Sequence, residues 1–113
     1  MNTTLLASHR ISFPYKGGKH LISPSQIIRI EAVSNYSIIY TAGQRPIIMA
    51  KVLRAYESIL TPFGFLRTHK SHLINPDYIG QIMSHDTLRM KDESKVLISR
   101  RKRSEVLRQT ITL

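Results

Sequence analysis

The residues of this 113-residue chain best equipped for chemistry are concentrated in Phe65-Leu66-Arg67-Thr68-His69-Lys70-Ser71-His72-Leu73-Ile74-Asn75. Apolar shoulders flank a polar stretch whose Arg, His, Lys and Ser side chains can all donate hydrogen bonds to phosphate oxygens, and Lys70 can also reach guanine acceptors. Metal ligation and nucleophilic catalysis use the same residue types. His69 and His72, three residues apart in an extended chain, point to opposite faces, and no third ligand is evident. Ser71 stands near His69 without a clear orienting acid, so no catalytic triad is assembled. A phosphate-cradling glycine loop, a zinc-protease helix motif and a nucleophile elbow are all missing from the sequence. We expect no enzymatic activity, no metal and no cofactor.

The charge balance favours a polyanionic partner. Lys and Arg number 17 against 7 acids, a net charge of +10, which suits DNA, RNA or an acidic membrane surface. Residues 67–113 hold ten of the 17 basic residues, and Arg100-Arg101-Lys102-Arg103 is the densest run. Hydrophobic residues make up 42% of the chain, enough for a real core. The absence of cysteine suits a reducing cytosol, and no apolar run approaches the ~20 residues of a membrane span. We therefore expect no membrane insertion and a cytoplasmic protein, at the nucleoid when bound to DNA.

The elements that must position these residues read as mostly β. Short strands are expected at Arg10–Phe13 and Lys19–Ser23 around a Lys16-Gly17-Gly18 turn. Ile28, Ile30 and Ala32 alternate with Arg29 and Glu31 as a half-buried strand. Ser34-Asn35 turns the chain into Tyr36–Thr41, whose Tyr36, Ile38 and Tyr40 share a face suited to core packing. Arg45–Met49 follows, and Pro46 implies that this strand lies at an edge or begins after the proline. Val52, Leu53, Tyr56, Ile59 and Leu60 recur at helical spacing, predicting about three turns stopped by Pro62. After the Asn75-Pro76-Asp77 turn, Tyr78–Met83, Thr87–Lys91 and Lys95–Ser99 read as a three-strand meander. A final helix is expected from about Arg101 to Ile111, with Ser99 as its N-cap and Val106, Leu107 and Ile111 buried. Residues 1–9 form a tail and 10–113 one domain. No pair of helices sits a short turn apart, so a helix-turn-helix is disfavoured, and DNA would be gripped by loops and strand ends.

Several of these segments together resemble the LytTR family of bacterial DNA-binding domains. The family signature F-x-R-x-H-[RK]-S-[FY]-[ILV]-[IV]-N is met at Phe65, Arg67, His69, Lys70, Ser71, Leu73, Ile74 and Asn75, with His72 where an aromatic is usual. Ile30-Glu31-Ala32 followed by Asn35-Tyr36 is similar to the family's I-E-A-x-x-N-Y segment. Tyr78-Ile79 and Ile98-Ser99-Arg100-Arg101 match in order. The resemblance implies an elongated, mostly β fold of small antiparallel sheets with one short helix, here joined by the C-terminal helix. It implies a transcription regulator whose loops enter successive major grooves of duplex DNA, at paired direct repeats recognised by two molecules. Most members act as response-regulator output domains of two-component systems. This chain has no room for a receiver, so it is a stand-alone regulator or a C-terminal domain, and Met1 favours the first. A homodimer on DNA and an upstream receiver or inhibitory partner are the implied partners.

Three patches are expected on the DNA face. The first is the Asn35-Tyr36-Ser37 loop, with Ser37 where the family can place a base-reading side chain, Asn35 reading bases or shaping the turn, and Tyr36 set toward the core. The second is Arg67, His69, Lys70 and Ser71. Lys70 contacts bases, while the other three position phosphates or brace the loop. The third is Arg100, Arg101 and Lys102, in which an Arg100–guanine contact would contribute ~1–3 kcal/mol of discrimination and Arg101 and Lys102 would hold the backbone. Asn75 is expected to brace its turn. A small basic RNA-binding protein and a protein-interaction module remain alternative readings of the same charge.

Overall fold

The computed structural model describes residues 11–15 and 18–111, with side chains from Ile22 to Thr110. The expected tail, the Lys16-Gly17 turn residues and the Ile111 side chain lie outside the described residues. Among the described residues, ten strands and two α-helices follow one another: β1 (Ile11–Tyr15), β2 (Gly18–Ile22), β3 (Ile27–Val33), β4 (Tyr36–Thr41), β5 (Ile47–Met49), α1 (Leu53–Leu60), β6 (Leu66–His69), β7 (His72–Ile74), β8 (Ile79–Ser84), β9 (Thr87–Met90), β10 (Lys95–Leu97) and α2 (Arg103–Ile111). All sheet neighbours run antiparallel. β1 and β2 form a ribbon, β5-β4-β3-β7-β6 a five-stranded sheet, and β10-β9-β8 a three-stranded meander.

The five-stranded sheet is the middle layer. On one side Ile27, Ile30, Ile39, Ile47, Met49 and Leu73 pack against Leu53, Tyr56 and Leu60 of α1. On the other, Ile28, Leu66 and Ile74 meet Leu88 and Met90 of β9, Val96 of β10 and Val106 of α2. Each fully buried Ile or Leu contributes ~1.5–3 kcal/mol relative to exposure, so both faces of the sheet stabilise the fold.

This layering corrects the half-buried reading of β3, because Ile27, Ile28, Arg29 and Ile30 are all buried. A register shift between Ile27 and Arg29 inserts one residue against β4. That bulge sends Ile28 to the meander side and leaves Ile30 on the helix side, although the two share a parity in the sequence. The same geometry corrects the expectation for β4. Its fully inward residues are Ser37, Ile39 and Thr41; of the expected face Tyr36 is 51% exposed, whereas Tyr40 packs, partly buried, against the meander-side core.

Arg29 is buried with its charge answered. Nη1 lies 2.7 Å from Glu31 Oε1, Nε donates to Ser94 Oγ at 3.0 Å, and the guanidinium sits 3.9 Å over the Tyr40 ring. The Ser94 bond ties the middle sheet to the β9–β10 loop. A buried cation without such partners would be costly.

Helix α1 is shorter than the periodicity suggested. Val52 precedes it without a side-chain cap, and both Val52 and Ile59 are exposed. Pro62 acts by converting the end of the helix into a 3-10 turn, Thr61–Phe63, which Gly64 closes at φ 90°. As expected, Asn75 braces its turn: Nδ2 donates to the Ile27 carbonyl at 3.0 Å and Oδ1 accepts from the Asp77 amide at 3.0 Å. Ser99 caps a 3-10 turn, Arg100–Lys102, that leads into α2.

Candidate nucleic-acid interface

The β6–β7 hairpin presents Lys70 and Ser71 as a two-residue tip between the paired His69 and His72. The histidines therefore face each other, with ring centroids 5.7 Å apart. The opposite-faces expectation fails because the chain reverses between them. Among the described residues no cluster of three or more His, Asp or Glu is placed to hold a metal.

The tip is built from Arg67. Its Nε donates to the His69 carbonyl at 2.9 Å, Nη2 to the Lys70 carbonyl at 2.7 Å, and Nη1 to Glu57 Oε1 of α1 at 2.7 Å. His69 Nδ1 accepts the Ser71 amide at 3.1 Å, which leaves Nε2 as the ring's donor nitrogen. The Ser71 carbonyl accepts the Ala32 amide at 2.9 Å, joining the tip to β3. Lys70 is exposed. His72 is buried and its Nδ1 has no hydrogen-bond partner. Burial chiefly pushes its pKa down, with Arg29 and His69 adding to the shift and Glu31 opposing it.

A register shift between Arg67 and His69 turns Thr68 inward, where it is fully buried. Its hydroxyl donates to the Leu97 carbonyl at 2.9 Å and its carbonyl accepts the Ser99 amide at 2.7 Å. The second and third patches are thereby pinned together.

A groove of about 490 Å³ results. Helix α1 contributes Arg54 and Glu57, the hairpin Arg67, His69 and Lys70, and the C-terminal segment Ser99, Arg101 and Lys102. A second groove of about 350 Å³ is lined by Ala32, Ser34, Tyr36, Val52 and Leu53, and shares Arg54, Arg67 and Lys70 with the first. Among the described residues they together form one strip with five cations, Arg54, Arg67, Lys70, Arg101 and Lys102, against the single acid Glu57.

The sequence-expected residues distribute unevenly over this strip. Asn35 is exposed at the β3–β4 turn, between two groove-lining neighbours, and Ser34 carries the left-handed φ of 56° there. Ser37 is removed from the surface: it is fully buried and donates its hydroxyl to the Lys51 carbonyl at 2.6 Å. Its place on the inward face of β4 leaves it nothing to offer a base. Arg100 is exposed but lines neither groove, whereas Arg101 and Lys102 do. Sequence reasoning missed Arg54, Glu57 and Val52 as groove residues and set Tyr36 in the core. Arg54 and Glu57 are one helical turn apart beside the buried stripe of α1, and that spacing was the available signal.

The sequence matches the LytTr DNA-binding domain family over residues 17–111. The fold is similar to that of the LytTr DNA-binding domain of a Bacillus cereus protein described as a methyl-accepting/DNA response regulator. The TM-score is 0.72 at 19% identity, covering 94% of this chain and 99% of that one. No curated relative matches by sequence. Among the described residues no helix is long and apolar enough to cross a membrane. With the family matched across most of its length, this chain belongs to the LytTr DNA-binding domains and binds DNA in the manner of a transcription regulator.

Proposed function

We propose that the cationic strip grips duplex DNA and reads its sequence from the two hairpin turns and the segment before α2, each entering a major groove. The observation that carries this is the pair of grooves sharing Arg54, Arg67 and Lys70, which aligns all three loop regions on one face. Asn35, Lys70 and Arg101 are the base-reading side chains; Asn suits adenine, and Lys and Arg suit guanine. Arg101 takes the reading role first expected of Arg100, because Arg101 shares the groove with Lys70. Arg54, His69, Arg100 and Lys102 hold phosphates, while Arg67 and Ser71 brace the tip.

The longest dimension is 42 Å, or ~12 base pairs at ~3.4 Å each. One molecule thus covers about one helical turn, and two molecules on paired direct repeats would sit a turn or a multiple apart. A homodimer on DNA and control by a receiver or inhibitory partner outside these residues complete the regulator. Single-strand RNA readers need several exposed stacking rings; among the described residues Tyr36 is the aromatic that stands out to solvent.

Selection from a random duplex library across a salt series, with single-stranded RNA as competitor, tests the proposal. Enrichment of duplexes with two similar half-sites about one turn apart is expected. Preference for the RNA, or for neither pool, overturns it.

A further inference from the structure

Among the described residues Glu57 is the single acid lining the strip proposed to face a polyanion. Charge alone makes it unfavourable there, since it repels phosphate and cancels one cation. Its geometry supplies another use. The Glu57 carboxylate holds Arg67 at 2.7 Å, and the same guanidinium clamps the carbonyls of His69 and Lys70 at 2.9 and 2.7 Å. The side chains of Arg67 and Glu57 are only 19% and 34% exposed, so the bond is less screened than a surface pair. Leu53, Tyr56 and Leu60 fix α1 in the core.

We infer that Glu57 is a positioning residue for sequence reading, transmitting the rigidity of the core through Arg67 to the backbone that carries Lys70. This rests on the proposed reading role of Lys70. Reading a base edge demands placement within about 0.5 Å, and a lysine gains that only if its own backbone is held. Arg67, with three donors committed inside the protein, is withdrawn from phosphate contact.

The sign of one substitution separates the two accounts. Glu57→Gln removes a negative charge from the DNA face and weakens the clamp. Electrostatics alone predicts tighter binding to every duplex. The relay predicts that binding to random duplex tightens or holds, while the ratio of specific to random affinity falls ~10-fold, as for loss of a hydrogen bond to a charged group. In a Lys70→Ala background, Glu57→Gln should leave the ratio unchanged within about twofold, because the relay then ends on nothing. Glu57→Asp keeps the charge but withdraws the carboxylate. It should lower the ratio without tightening random binding, and it carries the test if the Gln variant is not folded, as judged by circular dichroism and thermal unfolding. Equal tightening of specific and random duplex by Glu57→Gln overturns the relay and leaves reading by Lys70 intact. Full discrimination by Lys70→Ala overturns that reading, and the relay with it.

Discussion

Two turns of the same length stand on the proposed DNA face, and they are held differently. Ser34-Asn35 joins β3 to β4 between the paired Val33 and Tyr36, and Lys70-Ser71 joins β6 to β7 between His69 and His72. The second is tied by Arg67 to two carbonyls, by His69 to the Ser71 amide and by the Ser71 carbonyl to β3. Among the described residues the first is braced by a side chain only at its base, where Ser37 bonds the Lys51 carbonyl, and it carries a serine in the left-handed region. A loop ordered before binding gives up less entropy on the DNA. The comparison therefore assigns more of the discrimination to Lys70 than to Asn35, although both are exposed.

The largest expected effect tests that ranking. Lys70→Ala and Arg101→Ala should each lower the ratio of specific to random affinity ~10–100-fold, the range of a good base contact. Asn35→Ala should lower it only ~3–5-fold, because ordering its turn offsets part of the contact. Titrations of operator and scrambled duplexes at one salt concentration measure all three. An Asn35→Ala loss equal to that of Lys70→Ala breaks the comparison.

Next in size is a stability change under the braced tip. His72 holds a buried Nδ1 without a partner, and leaving such an atom unsatisfied costs ~1–3 kcal/mol. His72→Phe, which supplies the family's usual aromatic, should raise stability by ~1 kcal/mol, or ~4–8 °C in Tm for a domain near this size. Burial lowers the His72 pKa below its ordinary 6.5. The unfolded chain therefore binds the proton first, and the native protein loses stability as pH falls through 6.5 toward the folded value. Thermal unfolding at pH 7.5 and 5.5 should show a smaller acid loss in the Phe variant. An unchanged pH dependence would mean that His72 is not the group responsible.

Much of the fold was legible, and the gaps have physical causes. Period-two alternation and turn residues located the meander, and the 3.6-residue spacing located α1. Local pattern cannot reveal a bulge, so Ile28 and Ile30 were assigned to one face and β3 was read as half-buried. The parity of β4 was misjudged because Tyr36, Ile38 and Tyr40 outweigh Ser37, Ile39 and Thr41 in apolar bulk. Tertiary packing buried the second set, Ser37 included, and of the first it put Tyr36 in solvent while Tyr40 packs partly buried against the meander-side core. Of the site, the family's ordered motifs marked the hairpin and the basic run. Arg54 and Glu57 stayed hidden because the groove joins them to residues distant in sequence, Glu57 bonding Arg67 ten residues on.

A smaller effect distinguishes gripping from reading within the braced groove. Lys102 reaches Glu105 only at 3.9 Å and remains partly exposed. Lys102→Ala should weaken operator and random duplex alike, by ~2–5-fold near physiological salt, and reduce the slope of log K against log salt by ~0.9. A selective loss on the operator would move Lys102 into the reading set beside Lys70.

The smallest expected effect lies in the unbraced turn. Ser34 at φ 56° is strained by roughly 1 kcal/mol, which glycine would relieve. Glycine also frees the unfolded chain, at a cost of ~0.4–1 kcal/mol. The two nearly cancel, so Ser34→Gly should shift Tm by no more than ~2 °C. The freed turn must still be ordered when Asn35 meets its base, so the specific-to-random ratio should fall up to ~2-fold. That loss should vanish in an Asn35→Ala background. The same glycine placed in the braced tip, as Ser71→Gly, keeps its backbone bonds to His69 and Ala32 and should change the ratio less. A larger loss at Ser71 than at Ser34 would show that the tip's order comes from its local conformation and not from the bonds that tie it.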